Sequence, residues 1–295
     1  MPPSGPTSAG GPVPAEGSVT TDRSTPARGL VSAGGSEPAG KSGPVGVSTS
    51  AGGSIPSGGP MSALHRDGYL VLPDLLTPAT RRNLRAALAP LLVPAGRDPF
   101  RSRHLRRVYG VLHNTRAADP LVDHPRVLGL VDRLLLPSYL LSQLEVIEVG
   151  TGAPARPPAH DDQHYPVARP RPALSVAALW AVDPGVTLTI WPGSHRWAGR
   201  PPDTPGVPLT PPPGSCVLLL GTLWHARPAC PPAPYLTITA HYCEPWLRTR
   251  EAFTLSPGRE VARQLSTRIR HMLGYSVHPP DTGLVDGMHP SRLFA

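Results

Sequence analysis

Apolar positions along the chain follow two regimes that meet near residue 140. From residue 61 up to that point they recur at helical spacing. Leu64-His65-Arg66-Asp67-Gly68-Tyr69-Leu70-Val71-Leu72 reads as a short helix, a glycine turn and a strand. Thr77-Pro78 supplies an N-cap followed by proline at the first helical position, and Leu84, Leu88, Leu91 and Leu92 continue on one face. Asp119-Pro120 opens another helical region, with Val127, Leu130, Val131, Leu134 and Leu135 as its stripe. Beyond 140 the apolar runs turn short or alternating: 144–149, 174–182, 186–191, 216–220 and 236–242, with Gly, Pro and Asp clusters between them. A last helix is predicted over 257–273, with Val261, Leu265, Ile269, Met272 and Leu273 inward and Gly274 as its stop. The pattern predicts a mainly β fold with flanking helices, its strands closing into a sandwich or barrel.

Composition divides the 295 residues into a tail over 1–60 and a globular part over 61–295. The tail is almost wholly Gly, Pro, Ser, Ala, Thr and Val, without an aromatic residue, and cannot bury enough apolar surface to offset chain entropy. It is expected to be disordered, and it lacks the charged and apolar regions of a secretory signal. A start of translation at Met61 is an equal reading of the same pattern. Net charge is +8 and Lys41 is the only lysine. Arginine is spread over helices and loops alike rather than gathered in a patch, which argues for a biased genome over a nucleic-acid partner. Cys216, Cys230 and Cys243 form no C-x-x-C pair, as expected of a reducing compartment. No stretch approaches the roughly 20 apolar residues of a membrane span. The expectation is a cytoplasmic protein with a small-molecule partner and neither nucleic acid nor membrane.

Two motifs carry candidate chemistry. His160-Asp161-Asp162 lies mid-chain and Trp224-His225 follows some sixty residues later. A His-x-Asp on or beside a strand puts both side chains on one face. A second histidine from a distant strand then completes two imidazoles and one carboxylate, the donor set of non-haem Fe(II) oxygenases. Each residue also has a plainer reading. His160 sits among Pro154, Pro157 and Pro158 as a loop histidine would; His225 can be a buried, satisfied histidine; Trp180 suits a core. His164 is spaced from His160 for a helix, which this segment is not expected to form, and His195 reads as a donor to a loop carbonyl.

Several further segments resemble the phytanoyl-CoA dioxygenase family: Arg169-Pro170-Arg171-Pro172-Ala173-Leu174-Ser175-Val176, Pro192-Gly193-Ser194-His195-Arg196-Trp197, Leu223-Trp224-His225 and Tyr242-Cys243-Glu244-Pro245-Trp246-Leu247-Arg248. So does the tail from Leu273-Gly274-Tyr275 to Val285-Asp286-Gly287-Met288-His289-Pro290. The resemblance runs from about residue 62 to 294 and implies a double-stranded β-helix, the jelly roll of two facing sheets. It implies Fe(II) held by His160, Asp162 and His225, 2-oxoglutarate as co-substrate, and Trp180 lining the co-substrate pocket. The implied activity is an oxidoreductase, a dioxygenase that hydroxylates a small-molecule or acyl-type metabolite. A non-catalytic jelly roll that binds a ligand or partner is the alternative.

Three features depart from the family pattern. The co-substrate arginine, about ten residues after the distal histidine, is replaced by Tyr235, and Arg227 is the candidate substitute. Loss of a charge-assisted pair there costs about 2–5 kcal/mol. Counted back without a gap from Tyr165-Pro166, the family histidine falls at Ala159 and its aspartate at Asp161. A shift of one restores His160-x-Asp162, and the two registers place opposite faces inward. Lastly, Asp183-Pro184-Gly185 leads straight into Val186, where the family carries a longer acidic loop.

Overall fold

The computed structural model describes residues 59–94, 104–199, 204–229 and 233–295, all within one compact unit, 51–295. Residues 1–58 of the expected tail, and Cys230, lie outside the described residues. The N-terminal layer is helical, as the spacing predicts. Helix α1 (Gly59–Asp67) turns at Gly68 into strand β1 (Tyr69–Leu72), and α2 (Pro78–Leu88) starts from Thr77, whose side chain accepts from the Thr80 amide at 3.1 Å. Short strands β2 (Val93–Pro94) and β3 (Leu105–Val108) lead to α3 (Val111–Asn114), α4 (Asp119–Val122) and α5 (Pro125–Val131).

The strands then follow: β4 (Leu140–Val149), β5 (Arg156–Ala159), β6 (Ser175–Ala181), β7 (Leu188–Ile190), β8 (Val207–Leu209), β9 (Cys216–Leu220), β10 (His225–Arg227) and β11 (Tyr235–Cys243). They form a seven-stranded sheet in the order β1-β9-β6-β11-β4-β3-β2 and a four-stranded sheet in the order β5-β10-β7-β8. Every pairing is antiparallel, and the arrangement is the jelly roll that the resemblance implies.

The large sheet is buried on both faces, and residue parity decides which face each side chain takes. On β6 and β11, Val176, Ala178, Trp180, Leu236, Ile238, Ala240 and Tyr242 join Leu88, Leu121, Val131 and Ile269 of the helical layer in the main core. The alternate residues face the smaller sheet: Ala177 packs with Leu188, Ile190 and Leu219, and Ala181 with Tyr235 and Val149. The short β6–β7 turn is pinned by Asp183, which accepts from Arg85 at 2.6 Å and from the Leu236 amide at 2.9 Å.

The single closing helix expected over 257–273 is in fact two, α6 (Gly258–Ala262) and α7 (Thr267–Met272). Ser266 accepts from the Ile269 amide at 3.1 Å, so a cap interrupts the run that hydrophobic spacing alone made continuous. Gly274 ends α7 with φ +97°. Among the described residues, no helix is long and apolar enough to cross a membrane.

Candidate functional site

The inner faces of the two sheets enclose a cavity of about 310 Å³. Ile147, Val149, Leu179, Leu188 and Leu219 supply its apolar wall. Its polar wall carries Asp161, Glu145, His225, His241 and four arginines, Arg107, Arg156, Arg227 and Arg250. A larger hollow of about 470 Å³ lies around Pro170, Arg171, His195 and Arg196. No carboxylate lines it.

Strand pairing decides which residue of His160-Asp161-Asp162 enters the cavity. His225 is paired directly with Ala159 across β10 and β5, and residues so opposed share a face. Ala159 therefore stands on the side of His225, and His160 points away. The His160 ring meets Trp224 edge-on at 5.0 Å, with its Nδ1 buried and unpartnered, and burial lowers its pKa. The chain then enters a 3-10 turn, Asp161–His164, which brings Asp161 to the cavity and turns Asp162 outward.

Asp162 is wholly enclosed behind the cavity wall. It accepts from Arg171 at 2.8 Å, from the Leu174 amide at 2.7 Å and from the Ser175 hydroxyl at 2.5 Å. Its own amide donates to the Gly221 carbonyl at 2.8 Å. A Cβ on Gly221 would lie 2.2 Å from both Asp162 Oδ1 and Ser175 Oγ, so only glycine allows this approach. Of the expected set of His160, Asp162 and His225, the structure places His225 on the cavity and the other two behind its wall.

Asp161 is in a different condition. Its side chain is 9% exposed, and His241 Nδ1 lies 3.9 Å from its Oδ2. It accepts no hydrogen bond from a described residue. Burial opposes its charge, yet His225, His241, Arg250 and Arg156 outweigh that cost and hold its pKa below the ordinary value. Burial lowers the pKa of His241, with Asp161 opposing that shift. The His225 Nδ1 is 3.2 Å from the Leu223 carbonyl, which orients the other ring nitrogen away from it.

A buried carboxylate without hydrogen-bond donors, beside two imidazoles, suits a divalent cation. Among the described residues, no three His, Cys, Asp or Glu side chains stand close enough to share one ion. Asp161 and His225 line the same cavity, and His241 stands beside Asp161.

The remaining expected residues divide between cavity and core. Tyr235 lines the cavity, packed against Val149, Ala153, Ala181 and Val186. Arg227 also lines it: one guanidinium nitrogen donates to the Pro154 carbonyl at 3.2 Å, while Nη1 is buried without a partner. Trp180, at an even position on β6, turns to the helical layer. It is fully buried there, edge-on to His124 at 5.3 Å. His195 Nε2 is 3.1 Å from the His65 carbonyl, in the last turn of α1 rather than in a loop. The sequence reading passed over His241, although β11 alternation from Tyr235 through Thr237 and Thr239 places it on the cavity face.

The family model for phytanoyl-CoA dioxygenase (PhyH) matches residues 64–229, more than half of the chain. The chain belongs to this family. A curated relative, dioxygenase cdmA of Talaromyces verruculosus, is 28% identical over 197 residues, covering 55% of this PhyH-family chain and 64% of the relative. The chain thus spans less than two thirds of that relative's length. Two solved structures share the fold. HygX from Streptomyces hygroscopicus, with nickel, 2-oxoglutarate and hygromycin B bound, has a TM-score of 0.53 at 15% identity, over 64% of this chain and 88% of its own. The non-heme alpha ketoglutarate dependent epimerase SnoN from nogalamycin biosynthesis has a TM-score of 0.51 at 20% identity, over 62% and 81%.

Proposed function

We propose that this PhyH-family chain is a non-haem Fe(II)/2-oxoglutarate-dependent dioxygenase hydroxylating a small organic molecule. Asp161 and His225 are the residues that would hold its metal. The observation that carries this reading is the Asp161 carboxylate, held below its ordinary pKa and accepting no hydrogen bond from a described residue, on the same cavity wall as His225. A cation bound there supplies the centre at which 2-oxoglutarate and O2 react to succinate and CO2.

The protein's own residues supply binding, orientation and dryness. The Arg227 Nη1 is available to donate to the far carboxylate of the co-substrate, replacing the charge that Tyr235 does not carry. The apolar wall of Ile147, Leu179, Leu188 and Leu219 packs hydrocarbon and excludes water from the oxidising centre. The hygromycin B bound in HygX agrees with a small organic molecule as substrate.

Anaerobic titration with Fe(II) and then 2-oxoglutarate tests the reading. The expected result is a visible charge-transfer band, followed by succinate on admission of O2, with both lost in Asp161→Asn. Fe(II) binding that is absent, or unchanged in Asp161→Asn, overturns it. One observation favours a second reading, a non-catalytic ligand-binding member: Ala159, not histidine, is paired with His225. Fe(II) uptake with no succinate from any 2-oxo acid would select that reading.

A further inference from the structure

The charges around the cavity do not balance, and the excess has a location. Four arginines face two carboxylates, and the Arg107–Glu145 ion pair removes one of each. Arg156, Arg227 and Arg250 then face Asp161 alone. On the reading above, a divalent cation adds two positive charges and dianionic 2-oxoglutarate offsets two. An excess of two positive charges is left for whatever else binds.

Position separates the three arginines. Arg227 is half-buried within the wall beside Pro154, whereas Arg156 and Arg250 are exposed at the rim. Arg156 and Arg250 both line the cavity with Asp161, and both lie near enough to bear on the charge of Asp161. Neither guanidinium makes an ion pair or hydrogen bond with a described residue. Arg156 is moreover paired in register with Arg227 across β5 and β10. Like charges so opposed repel unless an anion lies near them.

We propose that Arg156 and Arg250 form an anion clamp at the rim of the cavity, and that the substrate is a small amphiphile with an apolar body and one anionic group. The body meets the aliphatic wall, and a carboxylate or phosphate monoester meets the two guanidinium forks. At about 310 Å³ the cavity lies at the low end of small-molecule sites, which keeps that body short. This inference rests on the dioxygenase reading for its charge count, and it is tested by binding alone.

The experiment is calorimetric titration of the full-length protein with hexanoate, hexyl phosphate and hexanamide, each with and without anaerobic Fe(II) and saturating 2-oxoglutarate. The expected result is at least one anion binding about 10-fold or more tighter than hexanamide, a difference of about 1.4 kcal/mol. The tighter of the two anions decides between carboxylate and phosphate. In Arg156→Gln/Arg250→Gln that preference should vanish while hexanamide binding stays. Equal affinity for hexanamide and both anions in the natural protein overturns the proposal. So does displacement of hexanoate by 2-oxoglutarate, which would assign the arginines to the co-substrate. Failure of the dioxygenase reading looks different: the charge-transfer band is absent, while an anion preference measured without metal still supports the clamp.

Discussion

Asp161 and Asp162 are neighbours in the chain and belong to two regions with opposite logic. Asp162 lies in a clasp behind the cavity wall, where an arginine, an amide and a hydroxyl satisfy it and a glycine makes room for it. Asp161 faces the cavity, its side chain 9% exposed and accepting no hydrogen bond from a described residue. Folding stability explains the first and not the second. A buried carboxylate left without hydrogen bonds is a cost, and it persists where a ligand is to meet it.

The strongest way to break this comparison is to change each aspartate separately. Asp161→Asn is expected to lower Fe(II) affinity by about 100-fold or more while leaving the urea midpoint close to that of the natural protein. Asp162→Asn should do the reverse. It leaves Arg171, 9% exposed, as an uncompensated buried charge and should cost about 3–5 kcal/mol in urea unfolding. Gly221→Ala attacks the same clasp by steric overlap and should cost about 1–3 kcal/mol without touching a cavity residue. If Asp162→Asn abolished Fe(II) binding in a stably folded protein, the two regions would have to be exchanged.

The co-substrate end of the cavity sharpens the contrast at smaller amplitude. Arg227→Gln should raise the KM for 2-oxoglutarate by about 10- to 100-fold, with stability little altered. Tyr235→Arg in that background should recover part of the loss, since position 235 lines the same cavity. No change in KM on losing Arg227 would remove it from the co-substrate's site.

Much of the fold could be read from spacing, and the site could be read only in part. Long alternating segments such as β6 and β11 declare their strands, and Thr77-Pro78 declares the start of α2, because each signal is local. Strands β5 and β10 do not declare themselves. Arg156–Ala159 is half proline, and His225–Arg227 is three residues long, so neither shows a period. The site hangs on the pairing of these two strands. A one-residue choice of register decided between Asp161 and Asp162, and long-range pairing of His225 with Ala159 makes that choice. The placement of Trp180 was not legible for a related reason: its strand was, but not which of its faces meets helices.

A last and smaller test compares Asp161 with a carboxyl of the opposite sign of shift. Glu251 is also buried, and it accepts from the Leu144 amide at 3.0 Å. Burial pushes its pKa up to about 7, with Glu145 adding to the rise and the Leu144 amide and Arg250 only partly opposing it. Its folded pKa is therefore above the unfolded value near 4.5, so the protonated form is favoured by folding. The stability it contributes is complete below about pH 4.5 and is lost as pH rises through about 7. Glu251→Gln, which keeps an acceptor and removes the charge, should flatten that decline by about 1–3 kcal/mol between pH 4.5 and 8 in urea unfolding. Asp161→Asn should show no such flattening, because His225, His241 and the rim arginines already keep Asp161 ionised through this range. A decline that survives in Glu251→Gln and disappears in Asp161→Asn would mean that the cavity carboxylate, not Glu251, is the one buried at a cost in charge.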